Sequence, residues 1–217
     1  MAMTYLRRMT AAMMLSLGFL LISGIAHAAD VEQGRRVVQS AVDEGISTFV
    51  GKTHPLPERT RLLDNLLRRY VDPPMLSASI LGRYWGKITP AEQNAFSELF
   101  VRYLVSSYVS ILGRAEPGTT VKVAQAMDLG TRVRVLSSAS LPSQPGEPIP
   151  VEWEVATTAE GKPAIMDLTA QGVSLIRAMK DDFASVLRSS GGKIEPLMEA
   201  LQRKIEANDK VNAAQAG

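Results

Sequence analysis

A chain of 217 residues with 24 basic and 22 acidic side chains has a formal charge of +2. That balance argues against the basic stripe of a nucleic-acid binder and against strong docking on anionic bilayers. It holds no cysteine and two histidines, which removes a disulfide framework and leaves no donor set for a structural zinc or a multi-histidine catalytic metal. Stability has to come from apolar burial, and the length suffices for one domain with a substantial core.

The N-terminus reads as an export signal. Arg7 and Arg8 form a basic n-region, Met9 to Ile25 run almost without polarity, and Ala26-His27-Ala28 is an A-x-A cleavage site. The apolar run falls short of the roughly 20 residues that a membrane-spanning helix needs, which favours cleavage over retention as an anchor. The arginine pair lacks the flanking pattern of folded export, so a Sec-type route is expected. Removal of residues 1–28 takes two basic residues and no acidic ones, leaving a formally neutral mature chain from Ala29 whose one histidine is His54. Its expected location is the periplasm or outside the cell. No later apolar run reads as long enough to span a bilayer.

Val38, Ala41, Val42, Ile46 and Phe49 make the apolar stripe of a first helix. Leu62, Leu63, Leu66, Leu67 and Tyr70 make a second. His54 lies between them in the proline-rich connection Thr53-His54-Pro55-Leu56-Pro57, a place for a surface or capping residue rather than a catalytic base. Asp72-Pro73-Pro74 reads as an N-cap with proline in the first turn, opening a short helix through about Leu81. Thr89-Pro90-Ala91-Glu92 is a capping box. The helix that it opens carries Phe96, Leu99, Phe100, Tyr103, Leu104, Tyr108 and Ile111 before Gly113.

From Thr119 to about Thr169 the period switches to two. Val133 and Val135 alternate with Arg132 and Arg134, while Val151, Trp153 and Val155 alternate with Glu152 and Glu154. Leu141 to Pro150 is a loop, and Ala159-Glu160-Gly161-Lys162 a hairpin turn into a last strand, Ala164 to Thr169. About four antiparallel strands follow from this. Two helices close the chain: Leu175 to Ser189, with Ile176, Met179, Phe183, Val186 and Leu187 inward, and Ile194 to Ile205 beyond the Gly191-Gly192 break. Asn208 onward reads as a flexible tail. The expected architecture is a single α+β domain over residues 29–207, with helices wrapping a curved antiparallel sheet and enclosing an apolar pocket. No G-x-S-x-G, P-loop or G-x-G-x-x-G motif occurs, and the acidic residues are scattered over polar helix faces. No catalytic residue, cofactor or metal ligand is assigned.

Several landmarks carry a family resemblance: Val71-Asp72 before a short helix, Leu81-Gly82-Arg83-Tyr84-Trp85, then Gln93, Phe96 and Phe100. Asp167, Gly172-Val173-Ser174-Leu175 and Phe183 follow near the C-terminus. In this order and spacing, behind a signal segment, they resemble the MlaC/Ttg2D family of periplasmic lipid-binding proteins, which includes HpnM-type members associated with hopanoids. The resemblance implies a carrier that holds acyl chains in a deep apolar cavity between sheet and helices, with the headgroup near the mouth. It implies as partners a phospholipid ligand, an inner-membrane ABC transporter bearing an MCE-domain ring, and an outer-membrane lipoprotein complex. A hopanoid or other polycyclic lipid is the alternative cargo. The chain departs from the family pattern at Lys162-Pro163-Ala164, where many relatives have an aromatic residue, and at Ala178-Met179-Lys180, where many have a polar-Tyr-Arg run.

A two-chain lipid has roughly 30 methylenes at about 0.8 kcal/mol each, so taking it from a bilayer into water costs on the order of 24 kcal/mol. Hydrogen bonds worth about 1 kcal/mol each cannot offset that; an apolar cavity can. The expected lining comprises Leu81, Phe96, Phe100, Tyr103, Leu104 and Tyr108 from the early helices. Val133, Val135, Val151, Trp153 and Val155 come from the strands, and Val173, Met179 and Phe183 from the C-terminal part. The same residues would equally fill a solid core, so two rival readings stand beside the carrier: an exported enzyme on a cone-like scaffold, and an adaptor with no pocket. Trp85 is expected as an anchor between helices, Gly172 at a backbone bend, Asp72 as an N-cap and Asp167 as a cap or the partner of a buried group. Arg83 and Lys180 read as solvated surface, with a lipid phosphate as the alternative contact.

Overall fold

The computed structural model describes residues 30–216; the expected signal segment, residues 1–28, lies outside the described residues. Helix α1, described over residues 30–49, leads through the proline-rich connection to α2 (Leu56–Tyr70), α3 (Pro73–Leu81), a 3-10 turn (Gly82–Lys87) and α4 (Pro90–Leu112). The sheet strands are β1 (Thr120–Asp128), β2 (Val133–Ser140), β3 (Ile149–Thr157), β4 (Pro163–Ala170) and the two-residue β5 (Val173–Ser174). They are followed by α5 (Leu175–Ser189) and α6 (Glu195–Ala216). All neighbours pair antiparallel in the order of the chain, β1 to β5.

Local chemistry fixes the helix starts. Asp72 accepts the Met75 amide hydrogen at 2.7 Å, and proline opens α3. The α4 capping box closes from both sides: Thr89 Oγ1 accepts from the Glu92 amide, and Glu92 accepts from the Thr89 amide at 2.6 Å. These bonds satisfy amide hydrogens that a first helical turn otherwise leaves unpaired.

The sheet is bent by two bulges, one between Val123 and Ala126 against β2 and one beside Glu154 and Val155 against β4. In the second, Val155 opposes Ile165 and Glu154 opposes Asp167, so Met166 is the inserted residue. The consequence for packing is direct. Ile165 joins the cluster formed with α1, and Met166 joins the larger cluster among the helices. On the solvent side Arg132 and Arg134 reach Glu154, and Arg134 also reaches Glu152, the cross-strand pairing that the alternation suggests.

The layer between α1 and the sheet is thin. Val38 and Val42 meet Val133, Val135 and Val155, and this contact needs Gly34. A Cβ at that position would lie 2.8 Å from Val133 Cγ1 and 2.9 Å from Val133 Cβ. Gly34→Ala is therefore expected to lower stability by about 1–3 kcal/mol, as overpacking does, read as a lower urea midpoint at unchanged slope. A midpoint equal to that of the wild type would mean that α1 is not pressed against β2.

Helix α4 is buried on two sides. Phe96, Phe100 and Leu104 face α3, α5 and α6, while Val101, Val105 and Val109 face Phe49 and Leu63. By length and composition it passes for a membrane span, contrary to the sequence reading, but half of its apolar window is buried in the fold. It is the central helix. The flexible tail predicted from Asn208 is also corrected: α6 runs on to Ala216. The reason is a polar seam with α4. The Asn212 side-chain amide donates to the Ser106 carbonyl at 2.8 Å and accepts from the Ser110 hydroxyl, while Asn208 donates to Ser106 and Ser107. Asn212 is buried, so these bonds satisfy groups that would otherwise be costly to desolvate.

Candidate functional site

The bend at Gln171-Gly172 shapes one wall of the site. Both residues have positive φ, 50° and 77°, the geometry of a type I′ two-residue hairpin turn. The turn folds β5 back on β4, pairing Ala170 with Val173 and Thr169 with Ser174. Ser174 then starts α5 as its N-cap, accepting from the Arg177 amide at 3.0 Å. Asp167 on β4 ties this corner together. Its carboxylate accepts the Ser174 hydroxyl and the Leu168 and Ile176 amides. So held, Leu175 and Ile176 stand opposite β4 across a gap.

That gap is a cavity of about 190 Å³ between the sheet and the helices. Ala41, Leu66, Leu67, Tyr70 and Val71 form the side contributed by α1, α2 and the residue after it. Leu76 and Leu104 come from α3 and α4, and Trp153 and Ile165 to Leu168 from the sheet. Leu175 and Ile176 complete it. Few lining groups are polar and each is engaged: Asp167 as above, Trp153 by donating its indole N–H to Ser137 Oγ at 2.8 Å, and Tyr70 by donating its hydroxyl to Glu44 at 2.8 Å. Burial, followed by the bond to the Glu44 carboxylate, raises the Tyr70 phenol above its ordinary pKa, so it remains a neutral donor. Glu44 is in turn gripped by Arg69 at 2.9 Å. What remains for a guest is hydrocarbon wall, which suits methyl and methylene groups and offers no partner for water.

A wider depression of about 580 Å³ separates α2 from α6 above α4. Arg61, Asp64, Arg102 and Asp209 border it. Those charges would lose their hydration against an acyl chain, at a cost that the chain cannot repay. The smaller apolar cavity is the chemically competent one.

Of the residues predicted to line a pocket, Leu104 and Trp153 border this cavity. Phe96, Phe100, Tyr103 and Phe183 instead pack on one another. Phe183 meets Phe96 and Phe100 edge-on, at 6.3 and 5.9 Å between ring centroids, and Phe96 stacks on Phe100 at 5.9 Å. Leu81 and Met179 belong to the same cluster, and Tyr103 and Tyr108 pack against it. Burial raises the Tyr108 phenol. Val133, Val135 and Val155 pack under α1, and Val151 is buried in β3. Val173 is 65 % exposed beside the hairpin turn.

Trp85 packs on the helical cluster, its carbonyl accepting from the Gln93 side chain at 2.9 Å. Arg83 lies over the Tyr84 ring and Lys180 approaches Gly82; both are exposed and neither borders the cavity. His54 donates Nε2–H to the Thr48 carbonyl at 2.9 Å, engaged where α1 ends. Sequence reasoning missed the rest of the cavity wall: Ala41, Leu66, Leu67, Tyr70, Val71 and Leu76 from the early helices, Ile165 to Leu168 from β4, and Leu175 and Ile176 from α5. The stripes holding Leu66, Leu67 and Tyr70 were visible, but only the fold shows that they end over a gap.

Among solved structures, the fold matches that of a phospholipid-binding protein from Ralstonia solanacearum, determined in complex with a phospholipid. The TM-score is 0.69 at 23% identity, covering 81% of this chain and 98% of that one. The MlaC protein family model matches residues 39–203, from within α1 into the first part of α6. A match of that extent takes in the sheet, the aromatic cluster and every wall of the cavity, and the chain belongs to the MlaC family.

Proposed function

We propose that this protein is a periplasmic lipid carrier that shelters phospholipid acyl chains between its sheet and its helices. The observation that carries the reading is the apolar cavity of about 190 Å³ whose few polar atoms are already hydrogen-bonded. Each methylene moved from water into such a wall is worth about 0.8 kcal/mol, so hydrocarbon, rather than a polar substrate, is what the site rewards. Membership of the MlaC family and the likeness to a fold seen with phospholipid support the same cargo. The export signal read at residues 1–28 supports the compartment. Exchange with an inner-membrane MCE-domain transporter and an outer-membrane lipoprotein complex is the cycle that such a carrier would serve.

The cavity is smaller than the roughly 300–1,000 Å³ of ordinary ligand sites. A flexible chain can thread such a slot while neighbouring helices yield; a fused-ring hopanoid cannot narrow itself to fit. That favours phospholipid over the polycyclic alternative. Binding rather than catalysis is the activity proposed. The test is native mass spectrometry of protein purified from its own host without detergent. Co-purified phospholipid is the expected result, and a protein that carries none and takes none from liposomes would overturn the reading.

A further inference from the structure

Tyr70 belongs to two spaces at once. One side contributes to the apolar cavity; the other borders an outward depression of about 400 Å³ with Gln33, Arg36, Val37, Ser40 and Pro163. The two spaces differ in chemistry. The inner one is hydrocarbon, whereas the outer one presents a guanidinium, a side-chain amide and a hydroxyl. That is the polarity order of a phospholipid read from tail to phosphate. The dividing ring is held from one direction, by the Tyr70 hydroxyl bond to Glu44 at 2.8 Å, with Glu44 fixed by Arg69. Arg36 is well exposed and its ion pair among the described residues, to Glu32, is long at 3.5 Å, so an anionic group can draw it away at little cost.

Resting on the carrier reading above, we propose that Tyr70 is a latch between two compartments of one lipid site. The chains occupy the inner cavity, the phosphate sits in the outer depression against Arg36, and breaking the bond to Glu44 opens the way between them. Neither space alone has the polarity order of a phospholipid; joined at Tyr70 they do. A bond to a charged acceptor is strong enough to slow exchange yet can be broken without unfolding any element.

The test measures loading from, and release to, phosphatidylcholine vesicles doped with fluorescent phosphatidylglycerol or with fluorescent diacylglycerol of the same chains. Tyr70→Phe keeps the ring and removes the bond, so loading and release of both lipids are expected to accelerate about tenfold. Glu44→Ala removes the other half of the latch and should give the same acceleration. Arg36→Gln is expected to weaken phosphatidylglycerol binding about tenfold and leave diacylglycerol unchanged. Wild-type rates in both latch variants, or equal weakening of the two lipids by Arg36→Gln, would overturn the assignment. If the wild-type protein loads neither lipid, the carrier reading itself fails, and the latch with it.

Discussion

Phe183→Ala is expected to destabilise the protein by about 3–5 kcal/mol, the range for removing a large buried aromatic side chain. Phe183 is 3 % exposed and is the edge-on partner of both Phe96 and Phe100. Its loss therefore removes two ring contacts as well as apolar area and leaves a void that three helices line. The effect should appear as a lowered midpoint in chemical denaturation. Phospholipid affinity, measured well below that midpoint, should change by less than about threefold, because Phe183 does not border the cavity. A variant of wild-type stability that loses lipid would show that the aromatic cluster parts to admit chains.

Leu104→Trp should do the reverse. Leu104 is 5 % exposed and borders the cavity from α4. An indole in its place would take up space for about two methylenes, each worth about 0.8 kcal/mol. The expected loss is about 1.6 kcal/mol, or roughly fifteenfold in phospholipid Kd. Thermal stability should change little, since the new ring has a void to enter rather than a packed neighbour to displace. Equilibrium titration with a fluorescent phospholipid gives the affinity, and a melt of the same sample gives the stability. Undiminished affinity in a folded Leu104→Trp protein would place the chains elsewhere.

These two residues also show what the sequence can and cannot reveal. Phe96, Phe100 and Leu104 lie on one stripe, four residues apart, and periodicity marks all three as inward. Whether an inward side chain meets another side chain or a gap depends on the elements across from it, and those arrive about 80 residues later with α5. The helix starts were legible because Asp72 and Thr89 act within three residues of themselves. The strands were legible through valines alternating with Arg and Glu. The end of α6 was not, since Asn208 and Asn212 look like tail residues until Ser106, Ser107 and Ser110 of α4 are set beside them. Asp167 had the same ambiguity. Its role as the clasp of a corner depends on a hairpin turn at Gln171-Gly172 that places Ser174 next to it.

The slip in register between Val123 and Ala126 also bears on how the molecule behaves in a crowded compartment. The sheet is open, and β1 forms its border with Lys122 exposed. A straight border strand would offer neighbouring molecules a ready template for adding strands, the first step towards aggregation. Here the row of amides and carbonyls is broken midway and a cation stands beside the break, so an incoming chain finds no long flat stretch to zip onto.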